Sequence, residues 1–188
     1  MMHFSEWRHG DAQEHLRRVR AFSADALNKA ARDYDWSRYP ETVLGWIMAQ
    51  KSVDMDTAVS AFFNGEPERF NYLHKREVTP EFLGVCRVLD NICLRVNSGF
   101  YLASGATRTV DVARLRKWVA VQEIDRGEGC LGRWVFDESI IRPLLTGGKS
   151  PDPDAPVFAP LVPAGEDTRH RDAPPPGPLI RLRTMLRR

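Results

Sequence analysis

The sequence predicts an all-α fold, a compact bundle of about six or seven short helices, followed by a disordered proline-rich tail. Two features of the first 146 residues indicate the helices: apolar residues recur at helical spacing, and capping residues precede several of these runs. The prolines indicate the tail, because nine of the 13 follow residue 150. Proline lacks a backbone N–H and disfavours helix in the residue before it, so we expect extended linker there.

Four helices are predicted before residue 66. The first spans residues 11–22, with Leu16 and Val19 facing inward. Ser23 and Asp54 are expected to cap the second and fourth helices, because a short polar side chain accepts hydrogen bonds from the first turn. Pro40 suits the first position of the third helix. The predicted second helix spans 24–32, and the fourth ends at Asn64-Gly65.

The clearest start signal in the second half is Thr79-Pro80-Glu81, which combines a cap, a proline at the first position and an acid in the first turn. The helix predicted over 79–97 carries an apolar stripe, which consists of Phe82, Val85, Leu89, Ile92 and Val96. Two more helices are predicted, one opening at Thr109 and Asp111 and one over 137–145 that Pro143 interrupts. Residues 100–102 and 133–136 are the best strand candidates, although a helical bundle needs neither.

Charge and proline content divide the chain into a helical domain (1–146), a disordered proline-rich linker (147–178) and a basic amphipathic segment (179–188). Residues 1–148 carry 20 basic and 20 acidic side chains, so the net charge of +2 comes from the tail. A neutral body gives no support to a nucleic-acid-binding surface, so we expect no nucleic-acid partner.

Composition also bounds the location and the chemistry. No apolar run approaches the roughly 18 residues of a membrane span, and the N-terminus has no signal-peptide pattern. Three cysteines fit a reducing compartment, so we expect a cytoplasmic protein. Cys86 and Cys93 lie two turns apart on one helix and are expected to be buried, whereas Cys130 is expected to be exposed. The spacing of His, Cys and acidic residues predicts no metal site, no cofactor and no catalytic set.

A stretch of the first half resembles an uncharacterised bacterial helical family, a domain of unknown function. The residues that carry the resemblance are Asp35-Trp36, Pro40, Val43 to Ile47, Asp54 to Ala58 and Phe62 to Gly65. It covers roughly residues 25–100 and implies a helical fold without any catalytic residue.

Aromatic residues of the same stretch form one candidate binding site. Trp36, Tyr39 and Trp46 surround the proline-started turn. Their main interpretation is packing against one edge of the core. The alternative is a binding groove, since amphipathic aromatic residues are favoured where one end of the ring meets water.

The C-terminal segment is the second candidate. Leu182 and Leu186 belong to an apolar helical face, and Arg187 lies elsewhere on the wheel. Such a segment can dock on a protein partner or an anionic membrane surface; the alternative is a solvated end.

We therefore expect a non-enzymatic interaction module with a tethered docking segment. The alternative is a small enzyme whose site assembles only in the fold, which a deep pocket lined by titratable groups would favour.

A peptide of residues 177–188 tests the docking segment. We expect anionic lipid vesicles to induce helix, measured by circular dichroism, because each arginine adds about 1 kcal/mol of attraction near the surface. Leu182→Asp should abolish the induction, since it places an acid in the docking face, and Arg187→Ala should only weaken it. If neither anionic nor neutral vesicles induce helix, the membrane interpretation is wrong.

Overall fold

The fold is all-α, as the sequence predicts. The computed structural model describes Trp7 and residues 9–103 and 109–146, and within these ranges it contains helices and no strand. The predicted linker and the basic segment lie outside the described residues, together with Leu182, Leu186 and Arg187. The α-helices are α1 (Ala12–Arg20), α2 (Ala24–Asp33), α3 (Gly45–Ile47), α4 (Met55–Asn64), α5 (Leu83–Asn97), α6 (Val112–Gly127) and α7 (Glu138–Leu145).

Aspartate and serine side chains start most of the longer helices. Ser23 accepts a hydrogen bond from the N–H of Ala26, and Asp54 accepts one from the N–H of Thr57 at 2.7 Å. Both predicted caps are therefore confirmed. Asp11, Asp111 and Asp137 cap α1, α6 and α7 in the same manner. Each cap satisfies a donor that the first turn of a helix leaves unpaired.

Three prolines begin short non-α turns instead of α-helices. Pro40–Leu44 is a π-helical turn that leads into α3, and Pro67–Arg69 and Pro80–Phe82 are 3-10 turns. Thr79 occupies the N-cap position of the Pro80–Phe82 turn, but its side chain makes no capping hydrogen bond, and α5 itself begins at Leu83. Pro143 lies within α7 and does not interrupt it.

Helix α4 is the centre of the core. Eight of its ten residues are buried, and it packs against both α2 and α5. Thr57, Ala58 and Ala61 are small enough for these neighbours to approach closely. Gly65 ends the helix where space is short, since a Cβ atom there would lie 2.8 Å from the side chains of both Leu89 and Trp36.

The cysteines lie where the sequence predicts. Cys86 and Cys93 are buried in α5, Cys130 is exposed, and all three are unpaired. Burial raises the pKa of Cys93 to about 12, so its thiol is neutral at physiological pH. That thiol donates a hydrogen bond of 3.5 Å to the carbonyl of Val135. The two buried cysteines are thus packing residues.

None of the helices in the described ranges has both the length and the apolar character required to cross a membrane.

A candidate binding pocket on helix α6

An extended segment without a partner strand forms one wall of the candidate site. We call Arg133–Phe136 the bridging segment. Its sequence suits a strand, but polar side chains from the surrounding elements take the place of a neighbouring strand. Asn71 accepts a hydrogen bond from the N–H of Trp134 (3.0 Å), and Gln122 accepts one from the N–H of Phe136 (2.8 Å). Asn97 donates to the carbonyl of Val135 (2.8 Å). The N–H of Arg133 donates to the backbone carbonyl of Asn71 (2.7 Å), so these contacts satisfy several backbone groups of the segment without a strand ladder.

Asp90 of α5 holds the N-terminal half of the bridging segment. Its carboxylate accepts two hydrogen bonds from the guanidinium of Arg133, at 2.9 and 2.7 Å, and one from the indole N–H of Trp134 at 2.8 Å. These hydrogen bonds from Arg133 to Asp90 raise the pKa of Arg133 above its ordinary value. Charge-assisted bidentate contacts of this kind fix geometry as well as adding stability.

Aromatic packing ties the bridging segment to the core. The ring of Phe62 in α4 lies 4.8 Å from the ring of Phe136 and 6.0 Å from that of Trp134, measured between centroids. It also contacts Trp118 of α6 edge to face at 5.5 Å. Phe62 therefore holds α6 and the bridging segment at a fixed separation.

A pocket of about 230 Å³ lies between α6, the turn around residues 68–72 and the stretch 131–135. One face of α6 supplies half of its lining, with residues three or four positions apart: Arg114, Lys117, Trp118, Val121, Gln122, Asp125 and Arg126. Trp134, Val135 and Leu131 form the opposite wall. The indole N–H of Trp118 is buried and has no hydrogen-bond partner among the described residues.

The mouth of the pocket is apolar. Leu131 is 78% exposed and Tyr72 is 54% exposed, and both line the pocket, as does the partly exposed Val121. Exposed apolar side chains that gather at a concave site are typical of binding surfaces, whereas single ones are common anywhere. The combination of a cavity and an apolar mouth makes this the candidate site.

The acidic residues of the pocket already accept hydrogen bonds within the protein. Asp125 accepts a hydrogen bond of 2.6 Å from the hydroxyl of Tyr72. Glu68 accepts two from the guanidinium of Arg114, which also lies 4.8 Å from the centre of the Phe63 ring. These contacts leave both carboxylates engaged within the protein.

The basic residues of the pocket differ in whether they form ion pairs within the protein. Arg126 pairs with Glu138 at 3.2 Å, and Arg114 is held by Glu68. Lys117 is exposed and forms no ion pair with any residue that the structure describes. It is the rim cation that a ligand can engage at no cost to an existing pair.

The predicted aromatic residues lie elsewhere, each half-buried beside a different neighbour. Trp36 packs beside Gly65, and the Tyr39 hydroxyl donates to the carbonyl of Gly10 at 3.4 Å. Trp46 faces the guanidinium of Arg20 at 5.8 Å. None of the three lines the α6 pocket. Their role as a separate groove stays a prediction, as do the roles of Leu182, Leu186 and Arg187.

Sequence reasoning missed the pocket itself. Helix α6 buries Trp118 and Asp125 together with Leu115, Val119 and Gln122, and the sequence analysis singled out neither Trp118 nor Asp125. The spacing of Arg114, Trp118, Val121 and Asp125 is a signal that could have been used. It could not identify the opposite wall, because residues 71 and 134 are distant in sequence.

The site carries no arrangement typical of a metal or a nucleophile. Within the described ranges, no group of three or more His, Cys, Asp or Glu side chains could hold a metal ion. Burial raises the pKa of Tyr34, and it raises the pKa of Tyr101 to about 12. Neither residue lines the pocket. Within the part of the chain that the structure describes, the site offers a cavity, an apolar surface and the unpaired cation of Lys117.

Comparisons with protein-family models, with curated proteins and with solved structures gave no match. The resemblance of residues 25–100 to a bacterial family therefore stays a prediction.

Gly132 tests how the pocket wall is built. A Cβ atom at this position would lie 2.2 Å from the amide nitrogen of Asn71, the residue that holds Trp134. We expect Gly132→Ala to lower the free energy of unfolding by about 1–3 kcal/mol, as overpacking does, measured by urea denaturation.

Gly127 is the matched control. A Cβ atom there meets nothing within 4 Å, and the residue is the last of α6. Gly127→Ala should be neutral or stabilising, by up to about 1 kcal/mol. Equal stability of the two variants would contradict the close contact between Gly132 and Asn71.

Proposed function

We propose that this protein is a non-enzymatic helical protein-interaction module that binds an apolar side chain of a partner in the α6 pocket. The observation that carries the proposal is the apolar mouth: Tyr72, Val121 and Leu131 are exposed around one cavity. Leaving such side chains in water is unfavourable, and covering them with a partner recovers the hydrophobic free energy. Hot spots of interfaces are anchors of this kind, seated in preformed pockets.

The size of the pocket supports a side-chain ligand. Its volume of about 230 Å³ exceeds the roughly 150 Å³ cavity that accepts benzene. It lies below the range of about 300–1,000 Å³ that is typical of drug-sized ligands and cofactors. One aromatic or large aliphatic side chain fits this range.

Rigidity of the walls supports the same function. The bridging segment is held by Asp90, Asn71 and Gln122, and α6 is held by Phe62. A preformed pocket binds without first ordering its own side chains, so less of the interaction energy is lost.

A small enzyme is the second candidate, and the Tyr72–Asp125 pair at the pocket is the observation that favours it. A hydroxyl beside a carboxylate can exchange a proton with a ligand. Once a ligand is found, it distinguishes the two functions. Only an enzyme converts the ligand, and its turnover should be lost in Tyr72→Phe.

The tail extends the proposal. We infer that residues 179–188 provide a second, tethered contact with a protein partner or an anionic membrane, through Leu182, Leu186 and Arg187. A tethered second contact raises avidity through its effective concentration. A cytoplasmic location belongs to the same proposal, and the three unpaired cysteines support it.

A phage-displayed library of random peptides tests the module with the full-length protein as bait. We expect enriched peptides to share an aromatic or large aliphatic residue. Leu131→Ser should weaken their binding about tenfold, since one buried apolar anchor contact contributes more than about 1 kcal/mol. Affinities are measured by isothermal titration calorimetry.

Leu94→Ser is the matched control, because Leu94 is 68% exposed on α5 and does not line the pocket. It should leave peptide affinity unchanged. A library that yields no peptide whose affinity depends on Leu131 would contradict the proposed function.

A further inference from the structure

We propose that the partner segment bound by the α6 pocket is acidic, with an aspartate or glutamate beside its apolar anchor that pairs with Lys117. This inference rests on the proposed function and adds the charge of the partner to it. The argument comes from which charges at the pocket are paired within the protein and which are not.

The carboxylates of the pocket are less open to a basic partner than Lys117 is to an acidic one. Asp125 is 7% exposed and holds the hydroxyl of Tyr72, and Glu68 holds Arg114 through two hydrogen bonds. A cation that binds Asp125 has to reach a nearly buried carboxylate, and one that binds Glu68 meets the charge of Arg114. Either cation also approaches the ammonium group of Lys117, and like charges repel at close range in a partly desolvated site.

The exposed ammonium group of Lys117 is accessible to a carboxylate of a partner. Lys117 precedes Trp118, which forms the wall, and it lies one helical turn before Val121 at the mouth. A side chain at this position can reach a carboxylate next to an anchor in the pocket.

The expected strength follows from the exposure of Lys117. Exposed ion pairs contribute about 0.2–1 kcal/mol, which corresponds to at most a roughly fivefold change in affinity. Such a contact selects among partners more than it sets the affinity. Salt should reduce it, because the Debye length shortens to about 3 Å at 1 M ionic strength.

Three labelled probe peptides test the inference by fluorescence anisotropy with the full-length protein. The acidic probe is acetyl-Gly-Glu-Phe-Glu-Gly-amide; the neutral and basic probes carry Gln or Lys in place of both Glu residues. We expect the acidic probe to bind about two- to fivefold more tightly than the neutral one and the basic probe to bind most weakly. Raised salt should bring the three affinities together.

Lys117→Met removes the charge and keeps an apolar stem, so it should abolish the preference for the acidic probe and retain binding of the neutral one. Lys51→Met is the matched control, because Lys51 is exposed and outside the pocket; it should keep the preference.

The inference would be overturned by equal affinities for the three probes, or by a preference that survives in Lys117→Met. The absence of binding by all three would overturn it as well. The proposed function fails by a different result, a peptide library without any Leu131-dependent binder, so the two failures are distinguishable.

Discussion

The hydrogen bonds that side chains make to the bridging segment are the constraint on which the pocket depends. An extended backbone in a helical protein has no ladder to satisfy its donors and acceptors, and an unpaired buried group costs about 1–3 kcal/mol. Here Asn71, Asn97 and Gln122 supply those partners, and they come from a turn and from two different helices. The segment can run between these elements only while all of them keep their positions.

The pocket follows from this arrangement. Because Asp90 and Phe62 fix Trp134 from two sides, the indole cannot collapse onto α6. Trp118 is fixed by the same phenylalanine. Both tryptophans line the pocket, so the contacts of Phe62 and Asp90 help to hold its walls in place. The pocket, and with it the proposed binding function, is a consequence of packing in the second half of the chain. Helix α4 connects this part of the core to the first half.

Local signals predicted the parts of the fold that local physics determines. Ser23 and Asp54 cap helices because their side chains reach donors three residues away, and Cys86 and Cys93 are buried because they share a face with the apolar stripe. Thr79 is the opposite case: Pro80 begins a 3-10 turn after it, and its side chain makes no capping hydrogen bond. Residues 133–136 were strand candidates, yet they pair with side chains instead of a strand.

The candidate site was beyond local signals because its walls are distant in sequence. Tyr72 meets Asp125 across 53 residues, and Asn71 meets Trp134 across 63. Lys117 is distinguished only by what its neighbours do: Arg114 and Arg126 are paired with Glu68 and Glu138, and these pairings need the fold. A single sequence contains these residues, but it does not show which of them form ion pairs in the fold.

Amide hydrogen exchange of Trp134 and Phe136 tests the central claim most directly. Their N–H groups donate to the side chains of Asn71 and Gln122 rather than to backbone carbonyls. If these bonds fix the bridging segment, both amides should exchange as slowly as core amides of α4 such as that of Phe62, because exchange would require the fold to open. Exchange of both as fast as that of the exposed residue Leu131 would contradict the account.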